Sequence, residues 1–340
     1  MRILVIRLMG LGDVACIGLP AARLLKRLHP DAEITVLTYA AGGTLLALAP
    51  DLDRVWTIPP EDWPDRFDQM IAPVLKWARQ ISEAQFDVIY NFDTWFMPCF
   101  LARMLKDGGL PVQGNFLRFA AREFADAALA GKVAPEVASK PGLYLDSTFP
   151  AMTDFSANWW QRFPVSGGYP EFYLQHCCGF AGAVDIQLPI VADSKWRRQF
   201  GTKRVLGLAT DARRAHRSYR HGNALKQLLE TRGYAVWDDV GTLPFGDALA
   251  RLKASDLLVT VSSAPQWLGK IVGCKVLILP GFLPPEHLGA DVHVPLFLDC
   301  QPCCTDGACP RNIDFACNAQ PPEQIADAVD LYFVTVGYVG

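Results

Sequence analysis

The sequence has no apolar run approaching the roughly 18 residues that a bilayer-spanning helix needs, although 51% of its 340 residues are apolar. It opens on a strand-like segment without the apolar core and cleavage site of a secretory leader, so a cytoplasmic location is expected. It also lacks a basic excess. Thirty-two Lys and Arg stand against 35 Asp and Glu, a formal net charge of −3, which argues against a nucleic-acid partner and confines any anion site to a local cluster. The absence of G-x-G-x-x-G removes the usual flavin and nicotinamide fingerprint. Cysteine is not scarce but is unevenly placed: five of ten, Cys300, Cys303, Cys304, Cys309 and Cys317, share one segment. In a reducing compartment such crowding points to a metal site more than to disulfides.

What is present is an alternation of strand and helix. Ile3-Leu4-Val5-Ile6 reads as a strand buried on both faces, Met9-Gly10-Leu11-Gly12-Asp13 as a turn, and Leu19, Ala22, Leu25 and Leu28 as one face of a helix. Strands at 34–37, 55–58 and 86–91, with helices at 42–48 and 66–84, continue the pattern, and a helix is predicted over 116–130. A second series runs through strands at 204–209, 234–237, 257–261 and 276–279 and helices at 223–232 and 247–253. The expected fold class is α/β, with two doubly wound, Rossmann-like domains and a cleft between them. The boundaries are 1–180, a linker 181–203, 204–320, and a C-terminal helix in 321–340.

In such sheets ligands lie beyond the carboxyl ends of the strands, and Asp13 sits there as a carboxylate that points into the crevice, with Gly10 and Gly12 beside it letting a substrate come close. The competing reading is a helix N-cap, a place Asp favours. Asn91 and Asp93 fall on the same rim, as acceptor contacts or as a turn-forming pair. The aromatics from Trp159 to Tyr173 could form a platform for an acceptor or pack a long loop. Arg213, Arg214 and Arg217 follow the strand at 204–209, where a guanidinium suits a diphosphate. Ser262, Ser263 and Ala264 open a helix whose free N–H groups suit an anion, and a structural N-cap explains the serines equally well. Four thiolates from one short loop would complete a tetrahedral site, with Cys300, Cys303, Cys309 and Cys317 as ligands and Cys304 as an alternative to Cys303. Iron and zinc both suit it.

R-I-L-V-I-R-L-x-G-L-G-D-V, then Pro20 and Pro30-Asp31-Ala32-Glu33-Ile34, resembles the start of the ADP-heptose:lipopolysaccharide heptosyltransferases, glycosyltransferase family 9. The resemblance implies the GT-B architecture and an inverting transfer of a sugar, heptose above all, from an ADP-sugar to a protein or lipopolysaccharide hydroxyl. It makes Asp13 the base and Arg217, in Arg217-Ser218-Tyr219, the phosphate contact. Lipopolysaccharide heptosyltransferases carry Asp-Thr-Gly and then a histidine where this chain has Ser262-Ser263-Ala264 and Trp267. Ser-Ser, Trp267-Leu268, Gly273, Lys275-Val276, Pro280-Gly281-Phe282 and the cysteines resemble the autotransporter heptosyltransferase branch, which implies iron on four cysteines as a structural staple. No catalytic metal is expected. A different nucleotide sugar, a non-catalytic scaffold of the same fold, peripheral membrane association and a homo-oligomer stay open.

Overall fold

The computed structural model describes residues 1–8, 10–59, 67–133, 136–152, 167–213, 215–281, 288–294, 309 and 311–337. Met9, Trp159, Arg214, Phe282, Cys300, Cys303 and Cys304, all named above, lie outside the described residues. The chain divides into two compact units, Met1–Phe163 with Pro170–Ile186 and Pro164–Tyr169 with Gln187–Gly340.

Among the described residues of the first unit, one sheet joins β1 (Arg2–Ile6), β2 (Glu33–Tyr39), β3 (Arg54–Ile58), β4 (Val88–Asn91), β5 (Val112–Leu117) and β6 (Leu145–Ser147) in the order β3-β2-β1-β4-β5-β6. All neighbours pair in parallel except β5 with β6. Ile3, Leu4, Val5 and Ile6 have no exposed surface. A central parallel strand is covered on both faces, which is why β1 reads as an unbroken apolar run. Each such side chain contributes about 1.5–3 kcal/mol by burial.

The strand order reverses at β1: β2 and β3 lie to one side of it and β4 to the other. That reversal opens a crevice beyond the carboxyl ends of β1 and β4. A helical segment over 11–28 leaves the crevice, with an α-helical first turn (Leu11–Asp13), a π-helical stretch (Val14–Gly18) and an α-helix (Leu19–Leu28). Leu19, Ala22 and Leu25 are buried, whereas Leu28, last on the stripe, is exposed.

The helix expected over 116–130 is corrected. Phe116 and Leu117 belong to β5, paired with Asp146 and Leu145, and the helix is confined to Ala121–Leu129. Strand pairing outweighed an apolar spacing that suited either state. The helix Phe96–Asp107, not anticipated, buries Phe96, Phe100, Leu101 and Leu105 in the same core.

The second unit holds β7 (Val205–Ala209), β8 (Ala235–Trp237), β9 (Leu257–Thr260), β10 (Val276–Ile278) and β11 (Val292–His293), in the order β11-β10-β9-β7-β8 and parallel throughout. Its reversal falls between β7 and β9. Leu225 and Leu229 of the helix Gly222–Thr231 share the core with Ile325, Ala326 and Val329 of the C-terminal helix Pro322–Gly337. No described helix is long and apolar enough to cross a membrane.

Candidate active site

In the first unit the crevice beyond β1 and β4 holds a salt-bridged cluster. Arg7 follows β1 directly, and its side chain is 4% exposed. Its Nη2 donates to Asp13 Oδ1 at 2.8 Å, its Nη1 donates to the Phe92 carbonyl at 2.6 Å, and Nη1 lies 3.3 Å from Asp93 Oδ1. The Asp13 side chain is 33% exposed, whereas that of Asp93 is fully buried. The N-cap of the helical segment is Gly10, which makes no side-chain capping bond. Asp13 sits one turn inside with its Oδ1 on Arg7, so capping is not what its carboxylate does. Gly12 is buried in the same turn.

Asp93 and Asn91 are corrected as acceptor contacts. Both are fully buried. The Leu8 N–H donates to Asp93 Oδ2, Asn91 Oδ1 accepts the Asp93 N–H at 3.0 Å, and Asn91 Nδ2 donates to the Asn115 carbonyl at 2.7 Å. Their part is to build the crevice from inside. Tyr173, from the aromatic stretch, is also buried. Its hydroxyl donates to the Phe92 carbonyl and accepts from Asn115 Nδ2 at 3.2 Å, and its ring centroid lies 5.7 Å from the Arg7 guanidinium. Of that stretch, Tyr173 therefore packs.

Arg7 and Asn115 were not singled out from the sequence. Arg7 had a signal, a charged residue directly after an apolar strand; Asn115 had none. Two thiols near the cluster are neutral packing groups. Burial, with Asp13 adding to it, pushes the Cys16 thiol well up, and burial with Asp93 does the same for Cys99. A thiol raised this way is not a ready nucleophile.

In the second unit, the loop after β7 is tied down on several sides. The Tyr219 N–H donates to the Thr210 carbonyl at 2.9 Å, the Tyr219 hydroxyl to the Gln320 carbonyl at 2.8 Å, and the Ala212 N–H to Ser218 Oγ at 2.9 Å. Arg217 lies between these anchors in a short 3₁₀ turn, Ala215–Arg217, and is half-buried; Arg213 is exposed. Arg220 donates to Asp314 at 2.8 Å.

Across the reversal, Ser262 and Ser263 lead into the helix Ala264–Ile271. Ser263 is its N-cap in extended backbone and makes no side-chain capping bond. Ser262, Ser263 and Ala264 are half-buried. Trp267 is 8% exposed, with its ring centroid 6.3 Å from that of Tyr169. It packs inside the unit.

Of the crowded cysteines, Cys309 and Cys317 are described. The Cys309 thiol is held below its ordinary value, foremost by the Phe315 N–H, against a burial penalty, and then by the N–H groups of Arg311, Ile313 and Asn312. Asn312, Asp314 and Phe315 have φ of 52°, 46° and 52°, left-handed backbone that non-glycine residues rarely adopt. Among the described residues no three His, Cys, Asp or Glu side chains are assembled for a metal. The donor chemistry of Cys309 still fits a bound ion, because a ligating cysteine must be deprotonated and these amides favour the thiolate.

No family model matches the chain, and no curated protein matches it by sequence. Solved structures do match it in fold. A family 9 glycosyltransferase from Veillonella parvula superposes with a TM-score of 0.63 at 15% identity, over 98% of this chain and 97% of the other. The E. coli ADP-heptose lipopolysaccharide heptosyltransferase II gives 0.59 at 16%, over 99% and 100%. TibC, an iron-containing dodecameric glycosyltransferase from enterotoxigenic E. coli, gives 0.60 at 14%, over 100% of this chain and 80% of its own. The chain thus has the GT-B fold of these glycosyltransferase structures.

Proposed function

We propose that the chain is an inverting glycosyltransferase that moves a heptose from ADP-heptose to a hydroxyl of a protein or lipopolysaccharide acceptor. The observation that carries this reading is the partly exposed Asp13 carboxylate, held by a buried arginine in the crevice where the first sheet reverses. As the acceptor oxygen forms its bond to the anomeric carbon, its proton passes to Asp13, and the bond from that carbon to the diphosphate breaks with its electron pair on the phosphate oxygen. Arg217 and the N–H groups that follow Ser262 meet the charge of the departing diphosphate. Residues 1–180 take the acceptor, residues 204–320 take the nucleotide sugar, and 181–203 join them.

Cys300, Cys303 or its alternative Cys304, Cys309 and Cys317 would hold one iron or zinc ion. When bound, the ion supplies a cross-link that shapes its loop, with four filled positions and no open site for substrate. A second reading, transfer from a different nucleotide sugar, is favoured by Ser262-Ser263-Ala264 and Trp267, which replace an acid and an imidazole on the donor side. Mass spectrometry of candidate acceptors after incubation with a panel of nucleotide sugars separates the two. A mass gain with ADP-heptose alone supports the first reading, and a gain with another sugar alone supports the second. Nucleotide binding without turnover on any donor overturns both.

A further inference from the structure

The two oxygens of Asp13 have different surroundings. Oδ1 accepts from Arg7 Nη2 at 2.8 Å. Oδ2 faces Gly10, where an added Cβ would stand 3.0 Å from it, and Gly10 has φ of 57°. A side chain there would press on that oxygen and strain the backbone at once.

Arg7 is itself held from several sides. Its Nη1 donates to the Phe92 carbonyl and lies 3.3 Å from Asp93 Oδ1, its guanidinium lies against Tyr173, and a Cβ on Gly18 would come within 3.4 Å of its aliphatic stem. Asp93 is fixed in turn by the Leu8 N–H. One guanidinium therefore spans two carboxylates, one on the helical segment after β1 and one after β4. Among the described residues, the titratable groups around it include Asp13, Asp93, Tyr173 and three thiols, Cys16, Cys99 and Cys178, which burial keeps neutral.

On the reading that Asp13 is the base, we propose that Arg7 is a positioning residue: it ties down Oδ1 and leaves Oδ2, over Gly10, to take the acceptor proton, with Asp93 holding Arg7 in place. A carboxylate anchored by one oxygen presents the other along a defined direction. A misplacement of about 1 Å in such a group can cost on the order of 10²-fold in rate. Lysine at position 7 keeps the charge, but a point charge cannot reproduce the fork that spans both carboxylates.

The test is a double-mutant cycle on the full chain, with ADP-heptose as donor, water as acceptor and ADP release as the rate. Arg7→Lys and Asp13→Asn are each expected to slow release on the order of 10²-fold. The double variant should be no more than about twofold slower than Asp13→Asn alone, since Arg7 acts only through Asp13. ADP affinity by calorimetry should stay within about twofold of wild type throughout, which a general structural loss would not spare. Asp93→Asn, which keeps the volume and the acceptor for Leu8, runs the same cycle with the same expectation if thermal melts show that Arg7→Lys does not fold. Effects that multiply in the double variant, or wild-type release by Arg7→Lys, would overturn the assignment of Arg7. Full turnover by Asp13→Asn would instead remove the base reading itself, whatever Arg7 does.

Discussion

The His216 imidazole stacks on the Phe315 ring, with centroids 5.1 Å apart and planes 26° from parallel. This contact ties the end of the cysteine-rich segment to the loop after β7, and others reinforce it. Asn318 Nδ2 donates to the His216 carbonyl, the Arg220 N–H donates to the Asn318 carbonyl at 3.2 Å, and the Arg220 guanidinium donates to Asp314. The turn that carries Arg217 therefore rests on residues 314–320. Phe315→Ala should loosen that turn and raise the Kd for ADP by up to about tenfold, the scale of one aromatic pair. Isothermal calorimetry with ADP checks it, and an unchanged Kd would uncouple the two loops.

The metal proposal makes a separate demand. Protein purified without added metal should contain about one iron or zinc per chain by elemental analysis. Cys309→Ser should lose that metal together with thermal stability, because a tetrahedral site missing a thiolate binds far more weakly. Metal-free protein with full stability and activity would remove the staple.

Asp13→Asn should leave the fold and ADP affinity nearly unchanged and slow transfer about 10²-fold or more. A steady-state comparison of kcat with donor Kd separates loss of a base from loss of binding. Turnover near the wild-type rate would leave Asp13 as no more than the partner of Arg7.

Arg217→Ala should weaken nucleoside diphosphate binding, and Arg217→Lys should recover only part of it, because an ammonium lacks the planar pair of donors. The comparison of ADP with adenosine is the control. Equal affinity of the wild type for both would mean that no arginine reads the phosphates.

A pH dependence of stability follows from Asp51. Arg23 grips both of its oxygens, from Nε at 2.7 Å and Nη2 at 3.0 Å. That pair of bonds holds the Asp51 carboxyl below its ordinary value of 3.8. A value depressed in the folded state gives stability that is fully present above the ordinary value and is lost as pH falls through the depressed one. Thermal melts taken from about pH 5 downward should show a smaller acid-induced decline in Asp51→Asn than in wild type. Since the Asp51 side chain is 46% exposed, added salt should narrow the difference.

The run Ile3-Leu4-Val5-Ile6, the glycines before Asp13 and the return of the same pattern after residue 204 were legible in the order of residues. Burial on both faces leaves an apolar signature on a parallel strand, and a sharp strand-to-helix turn leaves glycine. Local chemistry of that kind determined the fold class and brought Asp13, Arg217, Ser262 and Ser263 forward. Tertiary structure alone decided what their neighbours do. The Leu8 N–H meets the Asp93 carboxylate across 85 positions of chain, a contact that exists because β4 lies beside β1 and not beside β3. The same strand order put Asp93 under the crevice and not on its rim. The packing of Tyr169 against Trp267 likewise joins residues far apart in the chain. Periodicity records how much of a side chain is covered and not by which distant segment, so the partners of Arg7 and Trp267 could be read only once the sheets were assembled.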